Sequence, residues 1–212
     1  MSGQGLALRS LHIALPGRVL IERLSIEIAP GEIVTVMGAS GSGKSSLLAF
    51  IGGFLREPFV ACGEVRAGGV ALHGLAPHAR RAGILFQDDL LFAHLSVAGN
   101  LMFGVPAAVR GAARKAEVEG ALADAGLQGF GQRDPATLSG GQRARVALLR
   151  TLLARPRILL LDEPFGKLDA ALREEFRGFV FEHARRLGLP TLLVTHDAMD
   201  AQAAGGRVLT LA

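Results

Sequence analysis

Three apolar runs set the frame of the chain: EIVTVMG at 32–38, RILLLDEP at 157–164 and TLLVTHD at 191–197. Each is rich in Val, Ile and Leu and none alternates with polar residues, which is how strands buried on both faces of a parallel sheet read. Helical patterns lie between them, so the order of elements predicts an α/β fold. GGRVLTLA at 205–212 predicts a last strand. The stretch GQRARVALLRTLLARP places Val146, Leu149 and Leu153 at helical spacing and stops at Pro156, predicting a helix whose apolar face is core.

Ligands of open α/β sheets gather beyond the carboxyl ends of the strands. Here the first run ends in a glycine-rich loop, the second in Asp162-Glu163 and the third in Thr195-His196. If the three strands are neighbours, these polar endings converge. The first ending, GASGSGKSS, comprises Gly38, Ala39, Ser40, Gly41, Ser42, Gly43, Lys44, Ser45 and Ser46; it fits G-x-x-x-x-G-K-[ST] and runs into the helix-like SLLAFIGGF. Glycines let the backbone curl so that its N–H groups cradle phosphates, Lys44 reaches the terminal phosphates and the Ser45 hydroxyl can hold Mg²⁺. Asp162, at the strand end, is placed to bind Mg²⁺ directly or through water. Glu163 can orient or deprotonate an attacking water, and His196 can donate to a γ-phosphate. Without the phosphate loop, the acidic pair would read as a helix cap and the histidine as an ordinary core side chain.

TLSGGQRAR, residues 137–145, pairs no nucleophile with a base and holds no metal cluster. Ser139 and Gln142 have the spacing of a capping box, the commoner meaning of such a stretch taken alone. The same serine and glycines at a helix start also make an anion site.

Composition narrows the class. The chain has 212 residues, enough for one large domain or for one core with a subdomain, and no apolar run approaches the 18 or so residues of a membrane span. MSGQGLALRS shows no secretion signal, so cytoplasmic residence is the default expectation. A single cysteine, Cys62, predicts a buried structural thiol. The net charge of +4 could suggest nucleic acid, but the arginines are scattered and no basic run interleaves with aromatics, so no nucleic-acid partner is expected.

GASGSGKSS, ILFQDDLLFAHLSV with Gln87, TLSGGQRAR, ILLLDEP, KLD and VTHD stand in the order seen in ATP-binding cassettes, and the chain resembles the ABC transporter ATPases over essentially its whole length. The resemblance implies a P-loop NTPase (RecA-like) core, about 1–88 and 151–212, interrupted by a helical subdomain at about 89–150, the whole forming one cassette. It implies ATP and Mg²⁺ as cofactors. By that resemblance Lys44 and the loop bind phosphates, Ser45 and Asp162 handle the metal, Gln87 is a metal contact that senses metal and water, Glu163 is the catalytic base and His196 holds the γ-phosphate. The resemblance also implies that Ser139, Gly140, Gly141 and Gln142 complete the site of a second copy facing head to tail, and that Asp169 reaches across that dimer.

The same resemblance implies a transmembrane permease, docked near Gln87 with Phe92 and Leu95 as lining candidates, and a peripheral place on the cytoplasmic face of the inner membrane. Import is favoured, with a solute-binding protein as indirect partner, because no exporter-type run precedes the signature and no membrane domain is fused. The chain's closeness to its end after VTHD predicts that no regulatory domain follows. The rival classes are a soluble ABC ATPase acting on the ribosome or DNA, and a plain P-loop kinase. Three features depart from the family pattern: Leu15 or Ala14 stands where an adenine-stacking aromatic is common in a chain without Tyr or Trp, GKSS replaces Lys-Ser-Thr, and Lys167 precedes the Leu-Asp pair.

Overall fold

The computed structural model describes residues 5–211. In chain order the elements are β1 (Leu6–Leu15), β2 (Arg18–Ile28), β3 (Ile33–Gly38), α1 (Lys44–Gly52), β4 (Val60–Ala67), β5 (Val70–Ala71), α2 (Pro77–Arg80) and β6 (Ala82–Leu85). There follow α3 (Val97–Gly104), α4 (Gly111–Asp124), α5 (Gly140–Leu153), β7 (Ile158–Asp162), α6 (Ala170–Arg186), β8 (Thr191–Val194), α7 (Ala198–Ala204) and β9 (Val208–Leu211). They form two compact units. One comprises the chain up to Ile84 with Arg157–Glu163 and Phe181 onward; the other comprises Leu85–Pro156 and Pro164–Val180.

The first unit carries the α/β sheet that the apolar runs predict, with strand order β6-β7-β8-β3-β9. β3, β7 and β8, built from the three runs, are adjacent and parallel, with β8 in the middle. Register puts Asp162 level with Val194 on one side and Val36 level with Val194 on the other, so the three chains leave the sheet at one edge. The strands are buried on both faces, as continuous apolar runs require: Ile33, Val34 and Val36, Leu159–Leu161 and Leu192–Val194 are all at most 2% exposed.

A second, antiparallel sheet of order β2-β1-β4-β5 is not among the elements the runs predict. Its first strand buries Leu6, Leu8, Leu11 and Ile13. The spacing slips from two to three because the register with β2 and β4 shifts after Leu8, where Ser10 takes a φ of 48°. Such a bulge hides strand alternation from a reading that counts by twos. One core joins this sheet to the parallel one through α1: Leu8 and Ile13 belong to the same cluster as Leu47, Ile51, Val36 and Leu160.

Cys62 is exposed, which corrects the expectation of a buried thiol. In β4 the even-numbered residues face out, and Cys62 shares that face with Glu64 and Arg66 while Val65 and Ala67 point into the core. Strand parity, not residue type, decides its burial.

The second unit is helical. Val97 and Leu101 of α3, Val118 and Leu122 of α4, and Val146 and Leu149 of α5 form one buried cluster, with Leu153 packed against it. α5 covers the helix predicted to end before Pro156. Asn100 is fully buried here and its amide donates to the carbonyls of Phe92 and Ser96, both at 3.1 Å, while its Oδ1 accepts from the Phe92 amide at 2.8 Å. A buried amide must be satisfied in this way, and the bonds fix the loop that leads into α3.

Candidate active site

In the first unit, β3 runs straight into the glycine loop. A methyl group on Gly38 would stand 2.5 Å from the Leu211 carbonyl oxygen and 2.7 Å from Ser42 Oγ, so only glycine lets the loop leave the sheet here. Gly43 begins α1 with a φ of 94° and no side chain caps that helix. The helix start therefore offers its amides and its positive dipole end to an anion.

Lys44 is 8% exposed, and its ammonium donates to the carbonyls of Gly38 and Ala39, each at 2.8 Å. An ammonium has three donors, so one remains, with the charge, for a ligand in the cleft. That cleft holds about 680 Å³ and is lined by Gly38–Gly41, Gly43–Ser46, Glu163 and His196. Ser42 is different: its hydroxyl is buried under the loop, without a hydrogen-bond partner among the described residues, and does not line the cleft. Its backbone amide donates to the Ala39 carbonyl at 3.2 Å, closing the turn of the loop.

The other strand endings meet this loop. Ser45 Oγ donates to Asp162 Oδ1 at 3.3 Å, closing a separation of 117 residues. Burial pushes the Asp162 carboxyl above its ordinary pKa and the neighbouring Glu163 charge adds to this, while the Ser45 bond and Lys44 pull the other way. A hydroxyl and an under-compensated carboxylate are hard oxygen donors that suit a small divalent cation such as Mg²⁺. Among the described residues no group of three or more His, Cys, Asp or Glu side chains could hold a metal; Mg²⁺ ordinarily takes few protein ligands, with water and phosphate as the rest.

The chain turns sharply after Asp162: Glu163 has a φ of 47°, uncommon for a residue with a side chain, and its amide donates to the Val194 carbonyl at 2.9 Å. His196 Nδ1 lies 3.1 Å from Glu163 Oε2. Sequence reasoning missed what holds the histidine. Thr195 is buried, its hydroxyl donates to buried Asp200 at 3.0 Å and accepts from the Asp197 amide at 3.0 Å, so the segment carrying His196 is pinned on both sides. The T-x-x-x-x-D spacing in THDAMD was the available signal.

The remaining candidates lie in the second unit. Ser139 caps α5: its hydroxyl accepts from the Gln142 amide at 3.3 Å, and its own amide donates to Gln142 Oε1 at 3.0 Å, a complete capping box. Ser139 is exposed, and Gly141 is packed so that an added methyl would come 3.2 Å from Leu172. Gln87 is exposed and lines a cavity of about 240 Å³ with Gly140, Arg143 and Lys167. The two residues after it are tethered, Asp88 to Lys167 and Asp89 to Arg143, the latter pair at 2.9 Å. Asp169 accepts from the Leu172 amide at 3.0 Å at the start of α6. Phe92 and Leu95 are half-buried, and the Phe92 ring meets Phe103 edge-on with centroids 4.8 Å apart. More of Leu90 and Phe103 reaches solvent, at 57% and 69% exposed. No helix among the described residues is long and apolar enough to cross a membrane.

Comparison with known proteins gives the family. Residues 21–166 match the family described as ABC transporter. The chain is 48% identical over 198 residues to the uncharacterized ABC transporter ATP-binding protein YnjD of Escherichia coli, covering 93% of this chain and 91% of that protein. It is 44% identical over 212 residues to the thiamine import ATP-binding protein ThiQ of Rhizobium meliloti, covering 100% and 87%. It is also 42% identical to the Fe(3+) ions import ATP-binding protein FbpC of Streptomyces coelicolor, of whose length it spans 59%. The chain belongs to the ABC transporter family and is one of its ATP-binding proteins, an ATPase.

Proposed function

We propose that the chain is the motor of a small-solute importer, and that two copies close head to tail on two ATP molecules to drive a separate membrane permease. The observation that carries the reading is the meeting of Ser45 with Asp162 beside Glu163 and His196, at the mouth of a loop whose lysine is already folded inward.

In this reading the amides of Gly38–Ser46 and the Lys44 ammonium hold the β- and γ-phosphates. Ser45 and Asp162 hold Mg²⁺, and the metal when bound neutralises phosphate charge. Glu163 takes a proton from the water whose oxygen attacks the γ-phosphorus, while the bond from that phosphorus to the β-phosphate oxygen breaks and ADP leaves. His196 donates to the γ-phosphate and is steadied by Glu163, Thr195 and Asp200. Ser139, Gly140, Gly141 and Gln142 supply a helix N-terminus to the γ-phosphate of the second copy, and Asp169 reaches that copy's site. Leu90 and Phe103, with Phe92 and Leu95, form the apolar patch that receives the permease at the cytoplasmic face of the membrane. Relatives named for thiamine and Fe(3+) import support import. The decisive experiment is Glu163→Gln: the variant binds ATP and dimerises on it, read by light scattering, yet hardly releases phosphate. Robust turnover by that variant would remove Glu163 from its role.

A further inference from the structure

The phosphate half of the cleft is furnished by the glycine loop, but a nucleotide also carries a flat base, and the chain has no Tyr or Trp to stack on it. The other half of the same cleft is lined by Leu15, Arg18, Leu20 and Phe59. Leu15 and Arg18 are paired across the turn of the β1–β2 hairpin. Leu20 lies against the loop itself, since a methyl on Gly43 would come 3.1 Å from its Cβ. Arg18 is held at the cleft by donating from Nη2 to the Gly41 carbonyl at 3.3 Å. Phe59 arrives from the segment before β4, far from the hairpin in sequence, and packs partly against the core. It is the aromatic side chain of this lining.

We propose that Phe59, with Leu15 and Leu20 and the flat guanidinium of Arg18, forms the base subsite of this cassette, replacing an aromatic on the hairpin with one supplied by the segment before β4. The inference rests on the cleft being the nucleotide site. Apolar Leu15 and Leu20 exclude water from a ring, and Phe59 offers the π-face against which a base of any kind stacks. The contact is insensitive to the hydrogen-bonding edge of the base, so it holds the ring without reading it.

The test measures equilibrium binding of ATP and of tripolyphosphate, each with magnesium, to the full chain and to Phe59→Ala, Phe59→Trp and Lys44→Ala. Phe59→Ala is expected to raise the Kd for ATP about five- to tenfold, the loss of one stacking contact, while the Kd for tripolyphosphate stays put. Phe59→Trp should recover ATP binding. An unchanged ATP Kd in Phe59→Ala, or equal losses for ATP and tripolyphosphate, overturns the subsite. If Lys44→Ala weakens neither ligand, the failure lies instead with the cleft as a phosphate site, and the two failures are told apart.

Discussion

Two helices of this protein begin at glycine-flanked turns, and their beginnings differ. α1 starts at Gly43 with no capping side chain, and the cation that follows, Lys44, is buried and bonded to two carbonyls of its own loop. α5 starts at Ser139 with a complete capping box, and the cations that follow are engaged: Arg143 with Asp89 and the Leu138 carbonyl, Arg145 with Glu175 and the Ala125 carbonyl. The first start offers bare amides and a charge to a polyphosphate. The second offers only a dipole end and a hydroxyl, worth about 1 kcal/mol or less at an exposed helix terminus. Such a tip is too weak to hold a nucleotide alone; in the proposed dimer it would sense one that the second copy already holds.

The comparison can be broken at several points. The largest expected effect comes from the base proposed for the α1 side: Glu163→Gln should lower the rate of phosphate release about a thousandfold while ATP binding persists. Next comes complementation. Lys44→Ala and Ser139→Arg should each be nearly inactive alone, yet mixing them should restore about a quarter of wild-type ATPase activity, because half of the dimers then pair one intact loop with one intact helix tip. Absence of any recovery, with mixed dimers present, would mean that the two helix starts do not serve one site.

A third measurement separates capping from sensing at α5. Ser139→Ala should cost about 1 kcal/mol in urea denaturation through loss of the cap, whereas Ser139→Asn keeps a good cap and should leave stability unchanged. Both should slow hydrolysis, and if Ser139→Asn hydrolyses ATP normally, the serine is only a cap. Phe103→Asp should cost the helical unit almost no stability, since that ring is largely exposed, but should abolish co-purification with the permease.

The smallest effect concerns Asp162, whose pKa is raised in the fold. Below the ordinary carboxylate range both folded and unfolded chains hold this proton, so the group makes no difference to stability. As pH rises through the window between the unfolded and the folded pKa, the unfolded chain releases it first and stability falls, then levels off. Metal-free Asp162→Asn should therefore be more stable than the parent at neutral pH, by about half a kcal/mol given the partial exposure of the group, and the gap should close on acidification. A gap that widens in acid would contradict the direction of the shift.

Much of the parallel sheet could be read directly from the chain. A strand buried on both faces must be apolar at every position, so β3, β7 and β8 announce themselves, and the polar residue types at their ends are chemistry that the core has no use for. The capping box at Ser139 was equally legible, since its spacing is local. β1 was not, because the bulge at Ser10 breaks the alternation on which strand reading depends.

The chain by itself thus determined the kinds of groups present, their order, and which segments had to be buried, because these follow from local periodicity and from the solubility of side chains. Only the tertiary structure decided which groups meet: that β8 lies between β7 and β3, bringing Ser45 to Asp162; that Thr195 and Asp200 hold the segment of His196; that Cys62 faces out; and that Phe59 reaches the cleft of the glycine loop. The reason is that neighbours in a folded sheet are chosen by packing over long loops, and no short-range pattern records which of several buried strands will lie next to which.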